Sequence, residues 1–178
     1  MNYALIGCGR IATNHLKAAL NNKLNIVAVC DILPEAMEQL LAKHGLEKDA
    51  SIKRYADYKQ MIAENDITLI SIATESGIHA EIALHCIDCG VNVIIEKPMA
   101  MSIADAEEII RRSEEKGVKV SACHQNRFNI AIQQLRQAVE AGRFRLCNRR
   151  NPAGFERPAR RWTASHWKTT WMMNLLIR

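Results

Sequence analysis

The chain has no long hydrophobic run. Nothing in its 178 residues approaches the roughly 18 consecutive apolar positions of a membrane-spanning helix, which excludes a role across a bilayer by that means. It also lacks a secretory signal: Met1-Asn2-Tyr3 leads directly into Ala4-Leu5-Ile6, without a basic start or a cleavable apolar segment, so a cytoplasmic protein is expected. A dense disulfide framework is missing too. The six cysteines (Cys8, Cys30, Cys86, Cys89, Cys123, Cys147) are scattered among apolar segments and are expected to be reduced thiols. Cys86-Ile87-Asp88-Cys89 has the spacing of a redox or metal pair, yet it has no second pair to match it and falls late in an expected helix. Packing is its plainer role, and no metal site is expected. Internal repeats are absent.

Acid is scarce at one end. From Arg143 onward nine Lys or Arg accompany the single acid Glu156, and Trp162, Trp167 and Trp171 all lie in the same stretch. The net charge of +5 therefore comes from this tail, while the body of the chain is mildly acidic. The basic balance therefore says nothing about a nucleic-acid footprint on the main domain.

What is present is an alternation. Short apolar runs near 2–6, 25–30, 67–73, 91–95 and 118–122, with a weaker one near 52–55, are separated by segments of helical period. This is the pattern of an α/β protein, a doubly wound parallel sheet covered on both faces. Helices are expected over Arg10 to Asn21, Pro34 to His44, Gly77 to Cys89, from Ser102 as N-cap to Gly117, and over Asn129 to Glu140, where Ile132, Leu135 and Val139 share a face.

Gly7-Cys8-Gly9-Arg10-Ile11-Ala12 fits the G-x-G-x-x-G/A pattern of a dinucleotide-binding turn. Gly7 permits a tight strand-to-helix turn, Gly9 lets backbone approach a pyrophosphate, and Ala12 allows close helix packing, with the phosphates meeting unpaired N–H groups at the helix start. The context agrees, because a strand precedes, a helix follows, and Asp31 ends the next strand. A carboxylate there accepts from both ribose hydroxyls of NAD and repels the 2′-phosphate of NADP, so NAD is favoured over NADP.

In an open parallel sheet ligands bind beyond the carboxyl ends of the strands. Those ends carry Thr74-Glu75-Ser76, Glu96-Lys97-Pro98 and His124-Gln125-Asn126-Arg127. Each has a bland reading: Ser76 as a helix cap, Glu96 with Lys97 as a surface ion pair, Arg127 in a solvated loop. Their coincidence on one rim favours a site.

Taken in order, "IGCGRIA", "VCD", "SIATESGIHAEIA", "VNVIIEKPMAMS" and "HQNRF" resemble the N-terminal half of the glucose-fructose oxidoreductase and inositol dehydrogenase family, written Gfo/Idh/MocA. The resemblance implies a Rossmann-type domain at 1–124 and NAD(P)-dependent hydride transfer to or from a sugar, cyclitol or sugar-nucleotide carbon. It implies that Gly7, Gly9, Arg10, Ile11, Ala12 and Asp31 hold the cofactor, that Thr74, Ser76 and His79 lie along it, and that Glu96 and Pro98 shape the loop bearing Lys97. Lys97 would sit where nicotinamide and substrate meet, as general base in oxidation and as an ammonium polarising a carbonyl in reduction. The "HQNRFN" segment is similar to members acting on UDP-linked amino-sugar acids, where Gln125 and Asn126 would border the cofactor and Arg127 the substrate. Glu75 stands where the family usually has proline.

Family members continue into a second α/β domain that supplies a substrate wall, further catalytic groups and commonly a dimer interface. Here residues 125–144 read as the helix that starts it, and the rest of that domain is expected to be largely missing: no Asp follows Asp105. Residues 145–178 read as an irregular basic tail, most simply a coding sequence interrupted or out of frame near Arg143-Phe144, otherwise a natural ending that binds RNA or an anionic membrane. The expected partners are a small-molecule substrate and, compatibly, a second copy of the chain; nucleic acid and membrane are not expected. The competing functional class is a non-catalytic NAD-binding or partner-docking module.

Overall fold

The computed structural model describes residues 1–143; the expected tail at 145–178 lies outside them. Two compact units divide the chain, Met1–Cys123 and the part from His124 onward.

The first unit is a six-stranded, wholly parallel sheet. Its strands are β1 (Asn2–Ile6), β2 (Asn25–Cys30), β3 (Lys53–Tyr55), β4 (Leu69–Ile72), β5 (Asn92–Ile95) and β6 (Val120–Ala122), in the spatial order β3-β2-β1-β4-β5-β6. That order reverses direction between β1 and β4, which opens a crevice at the switch point. Five helices connect the strands: α1 (Ala12–Asn21), α2 (Pro34–Lys43), α3 (Tyr58–Glu64), α4 (His79–Asp88) and α5 (Ile103–Lys116).

Side chains alternate across the sheet with period two. Tyr3 and Leu5 of β1 point to one face, where Ala12, Leu16 and Ala19 of α1 and Met37, Leu40 and Leu41 of α2 are buried against them. Ala4 and Ile6 point to the other face, against Met61 of α3, Ile82, Ala83, Cys86 and Ile87 of α4, and Ile109 of α5. With both faces covered, the central strands read as continuous apolar runs. Cys86 belongs to this packing and Cys89 is exposed, so the Cys86/Cys89 spacing makes no joint site.

Ser102 caps α5 as expected. Its Oγ accepts from the Asp105 N–H at 3.0 Å and donates to the Asp105 carboxylate at 2.7 Å, and Gly117 ends the helix in the left-handed conformation. The sequence reading did not announce α3. It has seven residues and a single buried side chain, Met61, too little for a periodic signal, and its local mark is Asp57, which accepts from the Lys59 N–H as N-cap.

The second unit opens on a 3₁₀ turn at Gln125–Phe128 and continues as α6 (Ile130–Glu140), capped by Asn129. The expected apolar stripe is there, but Ile132, Leu135 and Val139 are exposed, and no residue of the helix is buried. Among the described residues no helix is long and apolar enough to cross a membrane.

Candidate functional site

The register of the sheet aligns the last residue of every strand. Tyr55 pairs with Cys30, Cys30 with Ile6, Ile6 with Ile72, Ile72 with Ile95, and Ile95 with Ala122. The next residue on each strand therefore forms one row across the carboxyl rim: Ala56, Asp31, Gly7, Ala73, Glu96 and Cys123. Backbone hydrogen bonds extend the ladder into this row. Asp31 donates to Tyr55 at 3.0 Å, Gly7 to Cys30 at 2.8 Å, Ala73 to Ile6 at 2.7 Å, Glu96 to Ile72 at 3.0 Å and Cys123 to Ile95 at 2.8 Å. At a strand spacing of about 4.8 Å the row runs for roughly 24 Å. Residues separated by more than one hundred positions in sequence thus become a single rigid edge.

One end of the row is an open cleft of about 210 Å³, lined among others by Gly7, Gly9, Asp31, Ala56, Thr74 and Glu75. Its two glycines serve different needs. Gly7 has φ +88°, and a Cβ there would fall 2.6 Å from the Ala73 carbonyl carbon, so only glycine lets the loop after β1 pass the end of β4. A Cβ on Gly9 would meet nothing within 4 Å. The chain itself has no use for a bare backbone at Gly9, whereas a ligand seated in the cleft does.

The start of α1 has the same character. Among the six α-helices of the described residues it alone has neither a side-chain cap nor an acid in its first turn, so no side chain occupies its positive dipole end, although the Ala12 and Asn14 N–H groups turn back onto the Gly9 and Ile11 carbonyl oxygens. Exposed Arg10 and half-buried Ile11 precede it, and Ala12 is buried beneath. Asp31 closes the turn: its carboxylate accepts from the Cys8 N–H at 2.7 Å and from the Leu33 N–H at 2.9 Å, which aligns one loop against the other and leaves lone pairs facing the cleft. Glu75 has φ −66° and ψ 150°, values that a proline would adopt, so its departure from the family pattern keeps the turn and adds an exposed carboxylate to the lining.

The other end of the row is filled by side chains. Glu96 is 8% exposed; one carboxylate oxygen lies 3.0 Å from His15 Nε2 and the other accepts from the Lys97 N–H at 3.2 Å. Its partner is thus His15 of α1, whose side chain is 9% exposed, and not the Lys97 ammonium. Burial, followed by the negative charge of the nearby Glu96 carboxylate, pushes the Cys123 thiol up to about 11. His15, Glu96 and Cys123 offer ligand atoms within 4.8 Å of one another, types that hold zinc elsewhere. Of the three, His15 and Glu96 share a hydrogen bond at 3.0 Å.

Lys97 is exposed at the rim, followed by a cis peptide bond to Pro98. Thr74 is half-buried in the cleft wall, and Ser76 begins a 3₁₀ turn, Ser76–Ile78, without capping α4: the cap position is Ile78. His79 is 1% exposed, with Nδ1 2.8 Å from the Pro98 carbonyl oxygen and Nε2 3.1 Å from that of Thr74. Each ring nitrogen faces a backbone carbonyl oxygen, and an imidazole donates to one of them when neutral and to both when protonated, so His79 sits between the two loops. Gln125, Asn126 and Arg127 form the turn that opens the second unit and are described only within it. Sequence reasoning missed His15, although a polar residue one position before buried Leu16 on the inner face of α1 was its available signal.

The family model for oxidoreductases with an NAD-binding Rossmann fold, Gfo/Idh/MocA, matches residues 1–124. The chain belongs to this family. Its relatives include inositol 2-dehydrogenase of Salmonella typhimurium, 28% identical over 141 residues, and 4-carboxy-2-hydroxymuconate-6-semialdehyde dehydrogenase of Sphingobium, 29% identical over 147 residues. Those alignments cover 78% and 82% of this chain, and 41% and 45% of the relatives. Among solved structures, the WlbA dehydrogenase of Bordetella pertussis in complex with NADH and UDP-GlcNAcA is 32% identical, with a TM-score of 0.71 over 80% of this chain and 42% of that one. Its counterpart from Chromobacterium violaceum is 31% identical with a TM-score of 0.72 over 81% and 41%. The chain thus spans less than half the length of the family members it matches, and the part it shares is their NAD-binding Rossmann domain.

Proposed function

We propose that this chain provides the cofactor-binding part of an NAD-dependent oxidoreductase acting on a hydroxyl or carbonyl carbon of a sugar, cyclitol or sugar-nucleotide. The observation that carries the reading is the bare backbone at Gly9 beside the uncapped start of α1, a cradle that the fold does not need for itself. The amides at the start of α1 would hold the pyrophosphate, and Asp31 would accept from the ribose hydroxyls, which favours NAD over NADP. When bound, the nicotinamide supplies the hydride acceptor or donor. Lys97, exposed at the far end of the same rim, would take the carbinol proton on Nζ or return it. Thr74, Ser76 and His79 would flank the cofactor; Gln125 and Asn126 would border the cofactor and Arg127 the substrate.

Relatives named for inositol and a complex containing UDP-GlcNAcA support a polyhydroxylated substrate. The free thiols among the described residues fit a reducing compartment, the cytoplasm. The test is a fluorescence titration with NADH, followed by turnover assays on cyclitols and UDP-linked sugar acids. Saturable NADH binding is the expected result, without turnover by a chain that supplies only the cofactor-binding part. Binding that no cyclitol or UDP-linked sugar acid perturbs would favour a dinucleotide-binding module, and no binding would overturn both.

A further inference from the structure

The tripeptide Glu96-Lys97-Pro98 is held on both sides of its lysine. On one side, Glu96 is buried against His15 of α1 and turns its second oxygen onto the Lys97 N–H. On the other, His79 lies between two carbonyl oxygens, with Nδ1 2.8 Å from that of Pro98 and Nε2 3.1 Å from that of Thr74, and donates to one of them as a neutral ring or to both as an imidazolium. Both histidines come from helices, and both lie inside the protein: the His15 side chain is 9% exposed and His79 is 1% exposed. Only the Lys97 side chain is left free to face the rim.

We propose that His15 and His79 are positioning residues for Lys97, a pair of clamps that fixes the backbone on either side of it. A lysine side chain is a flexible four-carbon stem, so its ammonium can be placed only if the backbone that carries it is held. Misplacement by about 1 Å is enough to cost about 10²-fold in a reaction that depends on orientation. The clamps also connect the two ends of the rim. His15 projects from the helix whose start faces the cleft, and His79 joins the Thr74 loop of the cleft wall to the loop of Lys97. A ligand settling on α1 therefore acts on a helix bonded to the Lys97 loop. Removing His15 leaves the Glu96 carboxylate buried without its partner, and the loop must move to rehydrate it.

This inference rests on Lys97 as the proton-handling group, but its test does not. In the full chain, amide hydrogen exchange is followed for Glu96 and Lys97, whose N–H groups are hydrogen-bonded, with and without NADH. His15→Leu and His79→Leu should each raise exchange in that segment by about tenfold or more while Leu5 and Ile6 of β1 exchange as in the wild type. His15→Gln, which retains an N–H donor toward Glu96, should restore protection to within about threefold of wild type. NADH should slow exchange of the segment in the wild type and lose that effect in His15→Leu. Wild-type exchange at Glu96 and Lys97 in both leucine variants would overturn the clamp, as would a uniform rise across all strands or a failure of His15→Gln to rescue. If NADH does not bind at all, the functional reading fails, while the exchange pattern without ligand still decides the clamp.

Discussion

The two ends of the rim are built on opposite rules. At the cleft end, the row of Ala56, Asp31, Gly7 and Ala73 is defined by side chains that are small or missing, and its order comes from backbone hydrogen bonds and one carboxylate. At the Lys97 end, Cys123 lies beside Glu96 and His15, and order comes from the hydrogen bond between the last two. A ligand that needs backbone amides and room is served by the first arrangement, and a single reactive group that must be held still is served by the second. Substitutions should therefore fail in different ways at the two ends.

The largest effect is expected at Gly7. Gly7→Ala places a Cβ against the backbone of Ala73 and Thr74 in a left-handed conformation, and should lower stability by about 3 kcal/mol or more in urea unfolding. Alkaline pH comes next. Burial raises the thiols of Cys8, Cys30 and Cys86 from 9.0 to about 12, so the folded state holds protons that the unfolded state releases. Stability is fully present below about pH 9 and should fall steadily between about pH 9 and 12, as followed by circular dichroism; Cys86→Ala should flatten that slope.

Asp31→Ala removes two charge-assisted bonds at the cleft end. It should cost about 2 kcal/mol of stability and reduce the preference for NADH over NADPH by about tenfold in paired titrations. At the other end, Lys97→Met should abolish any turnover and leave NADH affinity within about twofold. The smallest change is expected from Glu75→Pro, which suits the existing φ of −66° and should add about 0.4–1 kcal/mol of stability by thermal unfolding.

The two ends also differed in how far the sequence disclosed them. The glycine fingerprint and Asp31 were legible because their physics is local: a turn, a helix start and the end of the next strand lie within about two dozen residues. The sheet was legible for a similar reason, since Tyr3-Ala4-Leu5-Ile6 and its counterparts are buried on both faces and stand out as apolar runs. The bond between His15 and Glu96 joins residues 81 positions apart, and no local pattern announces it. His79 was expected along the cofactor from resemblance alone, and only its burial between two carbonyl oxygens shows what holds it there. The stripe on α6 teaches the converse: Ile132, Leu135 and Val139 have the spacing of a core face, yet periodicity states what a helix can bury and not what is present to bury it.

The central claim is that the cleft end is shaped for a dinucleotide, and Gly9 isolates it. Gly9→Val should unfold at the wild-type temperature, because its side chain enters open space, and should bind NADH at least about tenfold more weakly than the wild type. Equal NADH affinity in the two proteins, measured side by side by fluorescence titration, would contradict the account.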